Sequence, residues 1–322
     1  MILKKGAEST PIAPRNQRIG RNGVSMKQND IEKSLKKSRQ WMSNWTEQPH
    51  MKRRFHDDPL KQLGQYPNND VEVSDLPRLV QRLGLWHLIN AELKALDSDD
   101  GCWTYFLTAA NCFESYVHIE QYTVLQGENS SLLPAEANLA LSLKMAYFSV
   151  ENWLPLAEQV RVGIDSTLLR LRKNATDSAG ELFKSFWCTL SLAGKGSDLQ
   201  FDAAAYSFPP DLAPYDTLLR NWNSTDLSLV ASIISDCCDY HIEQSLNSQH
   251  DRVVEFDVEY LSHYTPELLA WMGLRSACGL ENPGEQIHPL MQLAFNRLPP
   301  AGYSPLPTIE ALLVQVKAAL NP

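Results

Sequence analysis

Apolar residues recur three and four positions apart in one segment after another, with capping residues ahead of each run and glycine or proline behind it. That spacing restricts the fold more than any other feature, and no alternating apolar and polar run bounded by tight turns competes with it. From Met26, Ile31, Leu35, Met42 and Trp45 make one stripe of a helix whose other faces carry Lys33, Lys36, Lys37 and Arg39. Trp41 and Trp45 are expected to pin this helix to the acidic body of its own chain rather than to an anionic surface. After a polar loop at 64–74, Asp75 is predicted to cap a helix with Pro77 in its first turn and Leu79, Val80, Leu83, Leu88 and Leu93 along it. The acidic turn 97–101 opens a second run with Trp103, Phe106, Leu107, Phe113 and Val117, and Pro134 opens a third with Leu139, Leu143, Met145 and Phe148. Further helices are predicted over 153–172, 178–193 (stopped by Gly194 and Gly196), 211–222, 225–247, 266–278, 287–297 and 307–320. The expectation is an all-α fold, about ten helices packed as antiparallel helical hairpins. It forms a single domain over 27–322 that could divide near 195–200, behind a disordered basic tail at 1–26.

At 322 residues and 43% hydrophobic, such a chain can bury a core without metals or bridges. The opening 25 residues are basic and polar with no apolar run behind them, which fits neither a signal peptide nor an anchor. No later stretch is apolar for the ~18 residues a membrane span needs. A cytoplasmic protein with no membrane partner is expected. Cys102, Cys112, Cys188, Cys237, Cys238 and Cys278 fall on apolar helix faces and read as reduced, buried thiols. The net charge of −9 is unevenly spread: residues 1–62 carry +8 and residues 63–322 carry −17. An acidic body opposes nucleic-acid binding and favours a basic partner, whose encounter it accelerates.

No catalytic pattern is complete. His118-Ile119-Glu120-Gln121 and His241-Ile242-Glu243-Gln244 each hold half of a zinc-deaminase signature, but neither is followed by the required Pro-Cys-x-x-Cys. No two histidines stand four apart, and the glycines at 194 and 196 lack phosphate-loop spacing. Asp97, Asp99 and Asp100 at a helix start read as caps that complement the helix dipole. No enzymatic activity, cofactor or metal is therefore expected.

The most distinctive stretch is 250–291. Glu255, Asp257 and Glu259 alternate with Phe256, Val258 and Tyr260, as suits an extended segment with one carboxylate face. Thr265 caps the next helix, Pro266 opens it and Gly279 ends it; Asn282-Pro283-Gly284 turns, and His288-Pro289-Leu290-Met291 opens another. The acidic lead-in, the TPELLAWMGLR helix, the GLENP turn and the HPLM that follows resemble bacterial helical proteins encoded beside secreted polymorphic toxins. The ENWLPLAEQ and FKSFWCTLSLA helices are similar to those of the immunity protein 49 family, and the PoNe-toxin immunity family, also helical, is the nearest rival; the resemblance spans about residues 75–300. It implies a cytoplasmic immunity protein that binds and neutralises a cognate toxin delivered by a type VI or contact-dependent system, by occluding the toxin's active site. Asp236, Asp239, Glu243, Glu255, Asp257 and Glu259 are the candidate contacts to a basic toxin surface. An adaptor or chaperone that loads a secreted effector, or an enzyme that reverses a toxin's modification, are the other readings.

Overall fold

The computed structural model describes residues 28–68, 70–127, 132–165, 183–200, 202–206, 208–246, 254–256 and 258–320. The tail 1–26, and Asp257, lie outside them. The fold is all-α, with no strand among the described residues. In chain order the helices are α1 (Gln28–Glu47), α2 (Pro49–Lys52), α3 (Asp58–Gln65), α4 (Leu76–Leu96), α5 (Cys102–Leu125), α6 (Pro134–Tyr147), α7 (Val150–Asp165), α8 (Lys184–Lys195), α9 (Tyr215–Arg220), α10 (Leu227–Leu246), α11 (Pro266–Ala277) and α12 (Pro307–Leu320). Among the described residues, no helix is long and apolar enough to cross a membrane.

The spine is the hairpin of α4 and α5, joined by the turn 97–101. It closes tightly because Gly84 leaves room for the Phe113 ring, which an added methyl would meet at 3.2 Å. α6 crosses α5, and beyond α7 it pairs with α8 in the same direction: Asn138 donates to Ser185 Oγ at 2.8 Å, and Ser142 bonds Thr189 at 3.2 Å. These buried hydroxyls and amides satisfy one another, so the seam is polar without being costly. α11 packs on α6, and α12 on α5, where Thr108 Oγ1 accepts from the Leu306 amide at 2.9 Å. As the sequence implies, α1 lies on its own body: Trp45 meets Phe55 edge-to-face and packs against the tilted Trp86 ring, Met42 is buried, and Ser38 meets His263.

Several boundaries differ from those read in the sequence. Residues 49–65 are helical, with a π-helical turn at Arg53–Asp57 between α2 and α3. Neither Asp75 nor Thr265 caps with its side chain; Asp75 ends a 3-10 turn, and Thr265 Oγ1 points to Met291 Sδ. Only 215–220 of the stretch 211–222 is helical. Residues 287–297 form no α-helix but belong to three short 3-10 turns, Glu285–Ile287, Pro289–Gln292 and Ala294–Asn296. His288 and Leu293 are extended, the first as the residue ahead of Pro289 must tend to be. Asn296 replaces the missing helical bonds: its amide donates to His263 O and Leu290 O, and its oxygen accepts from Thr265 N.

Two ionisable groups of α4 are buried without full compensation. Among the described residues neither His87 nitrogen has a hydrogen-bond partner, and burial, with His56 beside it, pushes its pKa down to about 3. Glu92 Oε1 has no hydrogen-bond partner among the described residues, and burial drives its carboxyl well above the usual range. Both therefore sit uncharged in the core.

Candidate functional site

Two helix ends close in the same way on either side of one cavity. After α4, Asp99 N–H donates to Lys94 O at 2.8 Å and Ser98 N–H to Ala95 O at 3.1 Å, with Ser98 in the left-handed region at φ 59°. After α11, Leu280 N–H donates to Arg275 O at 2.9 Å and Gly279 N–H to Ser276 O at 3.0 Å, with Gly279 at φ 72°. Between them opens a cavity of about 540 Å³. Trp103, Ile234, Met272 and Met291 supply apolar lining; Asp99, Asp100 and Glu285 stand exposed at its edge. Asp99 pairs with Lys94 at 2.6 Å and Glu285 with Arg297 at 2.8 Å.

The wall that carries Asn282 is held by Arg275, whose side chain is fully buried and, among the described residues, bonds carbonyl oxygens rather than a carboxylate. Its guanidinium donates to Trp222 O (3.1 Å), Ser224 O (2.9 Å), Glu281 O (2.6 Å) and Asn282 Oδ1 (3.2 Å), and lies over the Trp271 ring. Carbonyl dipoles from two loops thus take the place of a counter-ion.

Of the six predicted contacts, the structure brings Asp236, Asp239 and Glu243 together. They stand three and four residues apart on the exposed face of α10, whose opposite face sends Ile234 into the cavity and buries Cys237 and Cys238. Asp239 lies 3.4 Å from His288 Nε2, next to the cavity residue Ile287. Glu259 is also exposed. The surroundings reinforce this face. In 222–296 the described residues expose seven carboxylates (Asp226, Asp236, Asp239, Glu243, Glu259, Glu281, Glu285), whereas their single arginine or lysine, Arg275, is buried.

Glu255 is a correction to the expected carboxylate face, because it points inward. Its Oε1 accepts from the Ser185 amide in the first turn of α8 at 2.6 Å, and Oε2 from Tyr240 OH at 3.2 Å. A helix start offers unpaired N–H groups and a positive dipole end, which draw the carboxylate in from a distant segment. Burial nonetheless dominates and raises its pKa to about 7, with the Ser185 and Tyr240 hydrogen bonds opposing and Glu267 adding to the rise. Between the ordinary value of 4.5 and about 7 the folded state then holds a proton that the unfolded chain has released, so this group's contribution to stability falls as pH rises through that window. Glu255→Gln mimics the protonated acid. It is expected to gain on the parent protein, by roughly 2 kcal/mol, between pH 5 and pH 8 in urea unfolding; a pH-independent difference would contradict the assignment.

The two His-x-Glu words have different surroundings. His118 is partly buried beside Gln159, while His241 is sealed inside, Nε2 bonding Leu261 O at 2.8 Å and Nδ1 meeting Glu267 Oε1 at 3.0 Å. A carbonyl can only accept, so Nε2 carries a proton and a further proton lies between Nδ1 and the carboxylate. Tyr215 also donates to Glu267, and the Phe256 ring stacks on His241. This buried group ties α9, α10 and α11 together. Cys102, at the cavity, is held as a thiol: burial first, then Asp100 and Asp99, push it up to about 11. Among the described residues, no three His, Cys, Asp or Glu side chains gather as a metal ion requires.

The cavity was not legible in the sequence, because its lining comes from five separated stretches. The acidic face of α10 was, since positions 236, 239 and 243 repeat with the helical period. No family model matches the chain, and no curated protein or solved structure is significantly similar to it.

Proposed function

We propose that the protein is an inhibitor that captures a basic protein partner, with the acidic face of α10 and the neighbouring 281–285 turn as its docking surface. The observation that carries this reading is the run of seven exposed carboxylates in 222–296 with no exposed lysine or arginine among its described residues. Such a surface attracts a basic partner over a Debye length, raises its encounter rate and disfavours acidic competitors. The adjoining apolar cavity offers the desolvated centre that a tight interface needs inside its charged rim. The resemblance of 75–300 to toxin-immunity families gives the partner a class: a secreted antibacterial toxin with a basic cleft, blocked in the cytoplasm by occlusion. No catalytic step is assigned to the chain itself.

The test is co-purification with the product of the adjacent gene, together with survival of cells expressing that product. A stable one-to-one complex and protection are expected; a complex without protection would instead favour an effector-loading adaptor. Asp236, Asp239 and Glu243 are exposed, so the triple Lys variant should fold normally. It is expected to bind on the order of a hundredfold more slowly and to protect poorly; unaltered binding would overturn the docking surface.

A further inference from the structure

A second, smaller opening of about 200 Å³ lies between α5, α6, α7 and α12, and its chemistry is unlike that of the acidic cavity. Its most buried charge is Lys144, 4% exposed, whose ammonium pairs with Glu114 at 2.9 Å, donates to Asn111 Oδ1 at 3.0 Å and lies over the Phe148 ring at 3.8 Å. Burial lowers its pKa, with Glu114 opposing. Desolvating a lysine is costly, and cores usually avoid it.

The same cleft is lined by Ser115, whose Oγ is buried and has no hydrogen-bond partner among the described residues. A helix-interior serine ordinarily returns its hydroxyl to a carbonyl one turn back, and an orphaned one costs stability until something bonds it. Across the cleft, the exposed Glu310 is met by Asn111 Nδ2 only at a long 3.4 Å, and Lys317 stands 3.9 Å from Glu114. Two lysines and two glutamates make the lining electroneutral. A ligand with net charge would leave one charge uncompensated in a half-buried place; a dipolar ligand would not.

We propose that this cleft binds a small zwitterion of the α-amino acid class. Its carboxylate accepts from the Ser115 hydroxyl and the Lys144 ammonium, and its own ammonium sits against the Glu310 carboxylate. The cleft, at about 200 Å³, has room for a small α-amino acid such as glycine, alanine or serine. The site is independent of the acidic docking surface.

The test is isothermal titration of the full chain with glycine, alanine and serine, using acetate and methylammonium as probes of one charge each. Millimolar or tighter binding of the amino acids and weaker binding of both single-charge probes is expected. Ser115→Ala and Glu310→Gln should each weaken binding about tenfold, the loss of one hydrogen bond. Ser115→Ala should also leave the ligand-free melting temperature equal or higher, a result that a merely structural serine would not give. The proposal is overturned if no amino acid binds, if acetate or methylammonium binds as well as alanine, or if Ser115→Ala keeps full affinity.

Discussion

Gly273→Ala is expected to destabilise the protein by roughly 3 kcal/mol, lowering its melting temperature by roughly 4–5 °C. The direction is opposite to helix propensity, by which alanine at an exposed helical site would gain about 1 kcal/mol. Gly273 lies in α11 where that helix crosses α6. A methyl there would stand 2.9 Å from Ala146 Cα and 3.1 Å from the Met145 carbonyl carbon, with the Met145 oxygen closer still. These are main-chain atoms and cannot rotate away, so the two helices must part, loosening the packing of the buried Leu269, Ala270 and Leu274. Gly284→Ala, where nothing lies within 4 Å of the added methyl, is the control and should melt with the parent. Calorimetry on the two variants decides the matter; equal melting would mean that the helices do not cross so closely.

Arg275→Met is expected to cost about 3 kcal/mol for a different reason: methionine reaches only as far as the arginine Nε, so the buried hydrogen-bonding head is removed while the apolar stem is kept. What is lost is the partner of the Trp222, Ser224 and Glu281 carbonyls and of the Asn282 oxygen. Left buried without a donor, each such acceptor costs on the order of 1 kcal/mol after relaxation. Because Asn282 and Glu285 border the cavity, hydrogen exchange should accelerate in 281–287 well before global unfolding. Arg275→Lys should fall between, as one ammonium cannot reach two loops and a side-chain amide at once. A methionine variant with native stability and native exchange would refute the bracing role.

Helix existence was legible because it depends on local period: Leu79, Val80 and Leu83 face inward on α4, and Trp103, Phe106 and Phe113 on α5, as the spacing requires. Boundaries and caps were not legible wherever a distant side chain decides them. Asn296 converts 287–297 into a set of 3-10 turns by bonding residues up to 33 positions away. Glu255 alternates in sequence like an exposed strand residue, yet the first turn of α8 claims it from 70 positions off. Gly273 reads locally as a weak point of a helix, and only the approach of α6 gives it a purpose. The same limit holds for function: the acidic face of α10 follows from one helix's own spacing, whereas the Ser115 and Lys144 cleft exists only after four helices have met.

The clamp around Arg275 bears on how the molecule answers to acid. A guanidinium keeps its charge at any pH where proteins fold, and main-chain carbonyls do not titrate. The loop wall of the cavity is therefore fixed by groups that no ordinary change of pH can switch, while the proton-sensitive carboxyls Glu92 and Glu255 are sequestered in the interior. Acidity should consequently strengthen the contribution of these two buried carboxyls to the fold without altering the contour that this wall presents.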